Sequence, residues 1–366
     1  MEKKQNKFGF KVINFNKDIA APVFEEDKSG EWINYGKKNN YPSELIDIYN
    51  NRSNKHKAII NRKVKMIAGA GINTDVVSPE LKTFIDKYNA KGDNLESLVI
   101  KVAYDLEIFG GFNINAKYTN SGERIGSCEY IPYDKIRKST TENEYWFSND
   151  WSKHKKEGFY PQRVQGFDTA KGFDEPLQIL NFSEYNPGNG YYPLPQYSST
   201  LQWIQSDWEI SNFHLSSIQN GFSAGFILNF STGIPTEEEM ELAYKEFEKK
   251  YSGTSNAGKF ILTFSDGQDQ RPELTPIELN STDERYINLA EQIRNEIMIG
   301  HEVTNPQLFG VLVPGSLGGK AEMVESLEIF QAVYVDPKQK QIEEVVNRII
   351  KGAGFNEEIL LNKYIL

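Results

Sequence analysis

Several places in the sequence carry residue types that could do chemistry, and each can be tested against what that chemistry requires. Gly253-Thr254-Ser255-Asn256-Ala257-Gly258-Lys259 matches the first seven positions of a phosphate-binding loop, whose backbone N–H groups and lysine cradle phosphate oxygens. That loop needs a Ser or Thr next, to hold magnesium, and here Phe260 follows. It also needs a strand before it and a helix after it, so that the helix N-terminus faces the phosphates. The pattern here reads helix, loop, strand. Pro314-Gly315-Ser316-Leu317-Gly318-Gly319-Lys320-Ala321 does lead into a helical pattern, but Pro314 stands in place of the first glycine and Ala321 in place of the hydroxyl. There is no Gly-x-Ser-x-Gly elbow. His56, His154, His214 and His301 stand in no motif that would set one beside Cys128 or a serine. His301 reads as a surface or core histidine and not as a base. Glu237-Glu238-Glu239 fills the first turn of a helix, where acid favours the helix dipole. Four scattered His and one Cys have no zinc-ligand spacing. The residues therefore predict no catalytic, cofactor-binding or metal site.

The elements around these motifs alternate and do not repeat. Residues 1–40 are polar, with Trp32 and Tyr35, and read as an irregular arm. Pro42 opens a helix carrying Leu45, Ile46 and Tyr49 on one face. Lys55 to Ala68 is helical by its Ala58, Ile59, Val64 and Ile67, and stops at Gly69 and Gly71. Ser78-Pro79 caps a helix striped by Leu81, Phe84, Ile85 and Tyr88. Asp93 with Glu96 reads as a capping box ahead of Leu95, Leu98, Val99, Val102 and Leu106. Gly110-Gly111 ends that helix. Strands follow at Phe112 to Lys117, Ile125 to Tyr130, Tyr145 to Phe147 and Gln178 to Phe182, with 148–176 reading mostly as loop.

The second half is more helical. A long helix from about Ser198 to Gln219 has apolar residues near a seven-residue spacing. Strands at Phe226 to Phe230 and Phe260 to Phe264 flank a helix capped by Thr236 and Glu239. Ser281 and Glu284 open another helix. An apolar, glycine-rich loop runs from Glu302 to Gly319, Lys320 to Tyr334 is helical, and Asp336-Pro337 starts a last helix.

Composition excludes several classes. The chain has 366 residues, with 39% hydrophobic and 25% charged, and reads as globular. Lys plus Arg is 41 and Asp plus Glu 51, a net charge of −10, which a phosphate-gripping packer of nucleic acid would not carry. Cys128 is the single cysteine, so no internal disulfide is available. No apolar run follows the basic start at Lys3 and Lys4, and no stretch approaches about 18 apolar residues. The expectation is a reducing compartment, with no secretory signal and no membrane. Charge is uneven: residues 1–70 carry 14 bases and 8 acids, net +6, which leaves −16 for the rest. Arg52, Lys55, Lys57, Arg62, Lys63 and Lys65 fall between Asn50 and Ala70 with no acid among them. They read either as a solvated helix face or as a contact for an acidic neighbour or phosphates.

One ordered set of motifs resembles a known family. Leu106-Glu107-Ile108-Phe109-Gly110-Gly111-Phe112 looks like a helix ending in a Gly-Asn-Ala-Tyr-like turn into a strand, followed by Ile131-Pro132-Tyr133. Asn189-Gly190-Tyr191-Tyr192-Pro193-Leu194 is similar to a Tyr-Gly-x-Ser-Pro segment before a long helix, which closes in Ile218-Gln219-Asn220-Gly221-Phe222. Tyr251-Ser252-Gly253 with Asn256-Ala257-Gly258-Lys259 resembles a Tyr-x-Gly…Asn-Ala-Gly-Lys turn, and Val303-Thr304-Asn305-Pro306 an interrupted Val-Pro-Pro element. Together, over roughly residues 40–350, these resemble the portal proteins of tailed double-stranded DNA bacteriophages.

The resemblance implies an α+β, portal-like subunit with an α/β wing, a two-helix stem and a small strand-helix-strand clip. It implies an arm at 1–40, a wing at 41–197 completed by 320–366, stem helices at 198–222 and 282–301, a clip at 223–281 and a tunnel loop at 302–319. It implies a structural protein of the virion and not an enzyme, assembled in the host cytoplasm as a homo-oligomeric ring of twelve at one capsid vertex. Its partners would be double-stranded DNA in the channel, the terminase large subunit, the major capsid protein and a head–tail adaptor. In that role acidity makes sense, because each neutralised phosphate would add a grip that resists translocation. Glu237, Glu238, Glu239 and Glu241 would make an acidic clip surface, with Asp283, Glu284, Glu291 and Glu296 on a stem helix. Leu308, Phe309, Val311, Leu312 and Val313 would face DNA. The basic 50–70 segment would lie on the outer wing. The alternatives are a nucleotide-binding enzyme using 253–259, or another structural or adaptor protein of a virion.

Overall fold

The computed structural model describes residues 9–11, 24–27, 30–75, 77–219, 225–230, 236, 238–242, 245, 259–264, 273–276, 282–303, 305–311 and 320–365. Residues 21–204 with 294–366 form one compact unit, and residues 1–20 with 205–293 a second.

The larger unit is organised by one buried helix and the strand that follows it. Helices α1 (Tyr41–Asp47), α2 (Asn54–Ala68) and α3 (Pro79–Asp86) precede α4 (Leu95–Phe109), and all three pack on it. α4 buries Leu95, Leu98, Val99, Val102, Ala103, Leu106 and Phe109, a stripe wide enough for a helix covered on most sides. Asn94 caps it by accepting from Ser97 N at 2.9 Å, so the cap falls one residue after the predicted Asp93. Gly110, at φ 78°, ends it in the left-handed conformation and turns the chain into β4 (Gly111–Tyr118).

β4 is buried along most of its length, and its neighbours on either side are β5 (Ile125–Ile131) and β9 (Leu177–Ser183). With β6 (Ile136–Lys138), β7 (Glu144–Phe147) and β8 (Gln162–Gly166) they form a six-stranded sheet of order β5-β4-β9-β8-β7-β6, antiparallel except for β8 and β9. β8 falls within 148–176, where the sequence reads mostly as loop. Its Gln162, Arg163 and Gln165 carry no apolar alternation, and the ladder to β7 and the Arg163–Glu144 ion pair at 2.6 Å hold it.

Residues 30–40 are likewise built into this unit, although the sequence reads there as an irregular arm. Ile33 and Tyr35 are fully buried. Tyr35 stacks on Tyr192 at 4.1 Å, and its hydroxyl donates to Pro193 O at 2.8 Å. The guanidinium of the buried Arg137 lies over the Trp151 ring at 4.8 Å and donates to Asn39 and to the carbonyls of Asp134 and Ile136.

In the smaller unit, β10 (Gly225–Phe230) and β11 (Lys259–Phe264) are parallel. β1 (Gly9–Lys11) and β12 (Glu273–Pro276) flank them antiparallel, in the order β1-β11-β10-β12. A parallel pair requires a crossover, and the connection contains helical residues 238–242. The predicted capping box is present: Glu239 N donates to Thr236 Oγ1 at 3.4 Å, and Thr236 N donates back to Glu239 Oε2 at 3.0 Å. The pairing of residues 9–11 with β11 has no local signal in the sequence.

Two long helices, α5 (Leu201–Gln219) and α6 (Thr282–Gly300), cross the boundary between the units within their own length. Inside the larger unit, the last turn of α6 meets the turn before α5. A Cβ built on Gly300 would fall onto the Thr200 hydroxyl and Cβ, so this approach requires glycine. The chain ends in α7 (Lys320–Phe330), a π-helical turn over Gln331–Val335, and α8 (Asp336–Gly352). The predicted restart at Asp336-Pro337 is thus a continuation through one widened turn, with Pro337 in the first turn of α8 directly after it. No helix among the described residues is long and apolar enough to cross a membrane.

Gly300→Ala is expected to destabilise the protein by about 1–3 kcal/mol through overpacking. Adding Thr200→Gly should recover part of that loss, read as a shift in the denaturant midpoint.

Candidate functional site

The basic segment divides on folding. Ser53 caps α2 by accepting from His56 N at 3.2 Å, which sets the register of the whole helix. That register turns His56 and Lys63 inward and leaves Lys65 exposed. Lys63, read from sequence as part of a surface patch, is 1% exposed. Its Nζ donates to the Tyr334 hydroxyl at 2.7 Å, lies 3.9 Å from that ring's centre and sits 3.6 Å from Glu107 Oε2. The Tyr334 hydroxyl donates to the Glu107 carboxylate at 2.8 Å. Nearby, Lys338 pairs with Glu184 at 2.6 Å. Three parts of the chain (α2, α4 and the π turn) therefore meet through charge in the interior, and a second pair joins α8 to the residue after β9. Burial pulls the Lys63 ammonium down to about 8 despite Glu107, so desolvation outweighs the attraction of its partner.

Two turns earlier on α2, His56 Nδ1 and His301 Nε2 share a hydrogen bond of 2.9 Å. His301 follows directly on α6 and is 1% exposed. Tyr197 stacks on it at 5.1 Å, and the Tyr197 hydroxyl donates to Ile108 O at 2.8 Å. Burial, then the Lys63 charge, lowers His56 to about 3, and the same causes with His56 itself hold His301 well below the ordinary histidine range. The pair is neutral at pH 7 and joins the end of α6 to α2. Of the two roles left open for His301, surface or core, it has the second.

The remaining cations of the segment have local partners or lie at the surface. Arg52 pairs with Asp47 at 2.8 Å, and Lys57 reaches Asn50 Oδ1 at 3.5 Å over the Tyr49 ring. Arg62 Nε donates to Leu308 O at 2.9 Å, and Lys55 is half-buried.

The Arg62 bond pins the first part of the apolar loop. Asn305 Nδ2 donates to Ser326 Oγ at 2.8 Å, and Asn305 Oδ1 accepts from Gln307 N at 2.9 Å. Leu308 is 2% exposed, and Phe309 meets Phe330 edge-on at 5.5 Å. These two side chains, expected to face DNA, pack within their own chain, and Val311 is half-buried. Leu312 and Val313 lie outside the described residues.

Glu238, Glu239 and Glu241 are exposed on the crossover helix, whereas Glu237 lies outside the described residues. Glu291 is exposed and Glu296 half-buried on α6, whose first turn holds Asp283 and Glu284, with side chains outside the described set. Lys259 opens β11 and does not lead into a helix, and residues 251–258 lie outside the described residues. Asp105, which the sequence did not single out, is buried beside a 360 Å³ cleft. It accepts from the Tyr130 hydroxyl and from Tyr133 N, both at 3.0 Å, and burial raises its pKa well above the usual carboxylate range. Burial likewise pushes the Cys128 thiol up to about 12. No group of three His, Cys, Asp or Glu that could hold a metal exists among the described residues. The arrangement ties elements together. A charged residue inside an apolar helical stripe, as Lys63 and Glu107 are, was the available signal for the buried cluster.

No family model matches the chain. A probable portal protein of Escherichia phage P2 is 20% identical over 241 residues, covering 66% of this chain and 64% of its own length. A probable portal protein of Haemophilus phage HP1 is 24% identical over 201 residues, covering 53% and 56%. The chain thus spans less than two thirds of the length of either relative. Among solved structures, a chain in the virion of a native gene transfer agent particle superposes with a TM-score of 0.58 at 13% identity, covering 93% of this chain and 85% of its own. A chain in the neck of the native particle, computed with C12 symmetry, gives 0.57 at 14%, covering 88% and 83%. An HK97 family phage portal protein from Corynebacterium diphtheriae gives 0.52 at 13%, covering 88% and 95%. The fold is therefore α+β of the portal type. The relatives' names and this fold support a phage portal family, the one that the ordered motifs resemble.

Lys63→Met should cost about 3–5 kcal/mol, because Glu107 is left buried without its cation. Lys63→Met with Glu107→Gln should cost less, as measured by chemical denaturation. A histidine with a lowered folded pKa binds its proton more readily when unfolded, so its contribution is complete above about 6.5 and falls as pH drops toward 3. Asp105 has the opposite sign, because its raised pKa favours the fold at low pH. Stability measured from pH 7 to 4 should therefore fall less steeply in His56→Gln/His301→Gln than in the unaltered protein.

Proposed function

We propose that the chain is the subunit of a portal ring at one vertex of a tailed-phage-type capsid. There it would form the channel for double-stranded DNA during packaging and ejection. The observation that carries this is the portal-type fold, shared across 88% of the chain with a phage portal protein that is itself covered to 95%. The names of two phage relatives point the same way. The C12 symmetry of the gene transfer agent neck supports twelve subunits.

In this reading residues 41–197 and 320–366 are the wing, 198–222 and 282–301 the stem, and 223–281 the clip. The terminase large subunit, the major capsid protein and a head–tail adaptor are the partners. The exposed Glu238, Glu239 and Glu241 support a clip surface that repels phosphate, so that DNA slides and is not held. The loop 302–319 reaches the tunnel with Leu308 and Phe309 as its packed base, which leaves 312–319 as the stretch to meet DNA.

Mass photometry of the purified protein should show particles of about 500 kDa, twelve copies of 41.9 kDa. A stable monomer at every concentration and salt, with no ring in negative stain, would sink the proposal. Replacing 312–319 by a Gly-Ser linker should leave ring assembly intact and lower the DNA retained in particles.

A further inference from the structure

Helix α7 and the π turn after it leave one face open. Leu327, Phe330, Tyr334 and Val335 point into the protein. Opposite them, Glu322, Glu325, Glu328, Ile329, Ala332 and Val333 are all exposed, and Ile329 and Val333 keep 51% and 69% of their surface. Spacings of three and four residues put these six on one strip. The strip is acidic toward its N-terminal end and apolar toward its C-terminal end.

α2 presents the converse. Its outer side carries Ala58 and Lys65, exposed, with Lys55 and Lys57 half-buried beside them, and no acid lies between Asn50 and Ala70. The burial of Lys63, the Arg62–Leu308 bond and the Arg52–Asp47 pair remove three members of the sequence's basic patch and leave these. Two exposed aliphatic side chains alone would be ordinary surface. An acidic and apolar strip on one helix and a basic face on another, in one chain, are complementary unlike patches. A heterologous contact between copies needs such a pair, and complementary charge fixes which faces meet.

We propose that the α7 strip of one copy docks on the basic outer face of α2 in a second copy. Glu322, Glu325 and Glu328 face Lys55, Lys57 and Lys65, while Ile329 and Val333 supply the dry part of the contact. This rests on the ring reading and names the faces that build it.

The test is charge reversal, read by mass photometry across a concentration series on variants whose circular dichroism matches the parent. Glu325→Lys/Glu328→Lys and Lys55→Glu/Lys65→Glu, each alone, should raise the concentration needed for assembly by about tenfold or more. Mixed one to one, the two reversed chains should assemble like the parent, because each then offers the other an opposite charge. The chain carrying all four reversals should also assemble. Ile329→Asp/Val333→Asp should prevent assembly in every background. Parent-like assembly of either reversed chain alone, or failure of their mixture, overturns the inference while a parent ring leaves the ring reading standing. A parent that never assembles overturns both.

Discussion

The larger unit depends on a small set of charges held away from water. Lys63, Glu107 and Tyr334 come from α2, α4 and the π turn, and none of the three is near another in sequence. Taking an ammonium and a carboxylate out of water is expensive, and the attraction between them returns that cost only when both ions are fully hydrogen-bonded. The Tyr334 hydroxyl makes this work by accepting from the lysine and donating to the carboxylate. It can sit there because the π turn at Gln331–Val335 widens the helix at that point. Any arrangement that separates α2, α4 and the C-terminal helices leaves a bare buried charge. The cluster therefore selects one packing more than it adds stability.

Around that point the ends of the long helices become fixed. The His56–His301 bond and the Thr200–Gly300 approach hold α6 where it leaves the larger unit, and Tyr197 ties the entry to α5 to the backbone at Ile108. The histidines are compatible with this position because burial keeps them uncharged. The same α2 that carries Lys63 and His56 inward sends Arg62 to the first turn of the apolar loop. One helix thus connects the sheet core, the root of a long helix and the base of the loop. In a protein whose proposed work is mechanical, this is a physical route by which a load on one of these elements reaches the others.

Much of the element order was legible, because it rests on periodicities that survive without tertiary context. The 3.6-residue stripe of α4, the caps at Ser78 and Thr236, and the alternation of β4 are local properties. What was not legible depended on distant residues. β8 has a polar sequence and is a strand because β7 and β9 offer it backbone partners. Residues 30–40 look irregular and are core because Tyr192, Pro193 and Lys138 receive them. Glu96, expected to cap its own helix, instead accepts from Ile72 N at 3.2 Å, and Asn94 takes the cap. Lys63 carries the same side chain as Lys65, and only the phase of α2 against α4 decides which of them is buried.

By itself the sequence determined the acidic balance, the alternation of helices and strands, and an ordered set of motifs that resembles one family. These follow from residue type and spacing, which no fold is needed to read. Only the tertiary structure decided how the basic segment divides between core and surface, which loop residues are packed, and where the first residues join a sheet. The reason is that desolvation and pairing are properties of neighbours in space. A lysine's charge is written in the sequence, but whether water or a buried carboxylate answers it depends on what the fold places beside it.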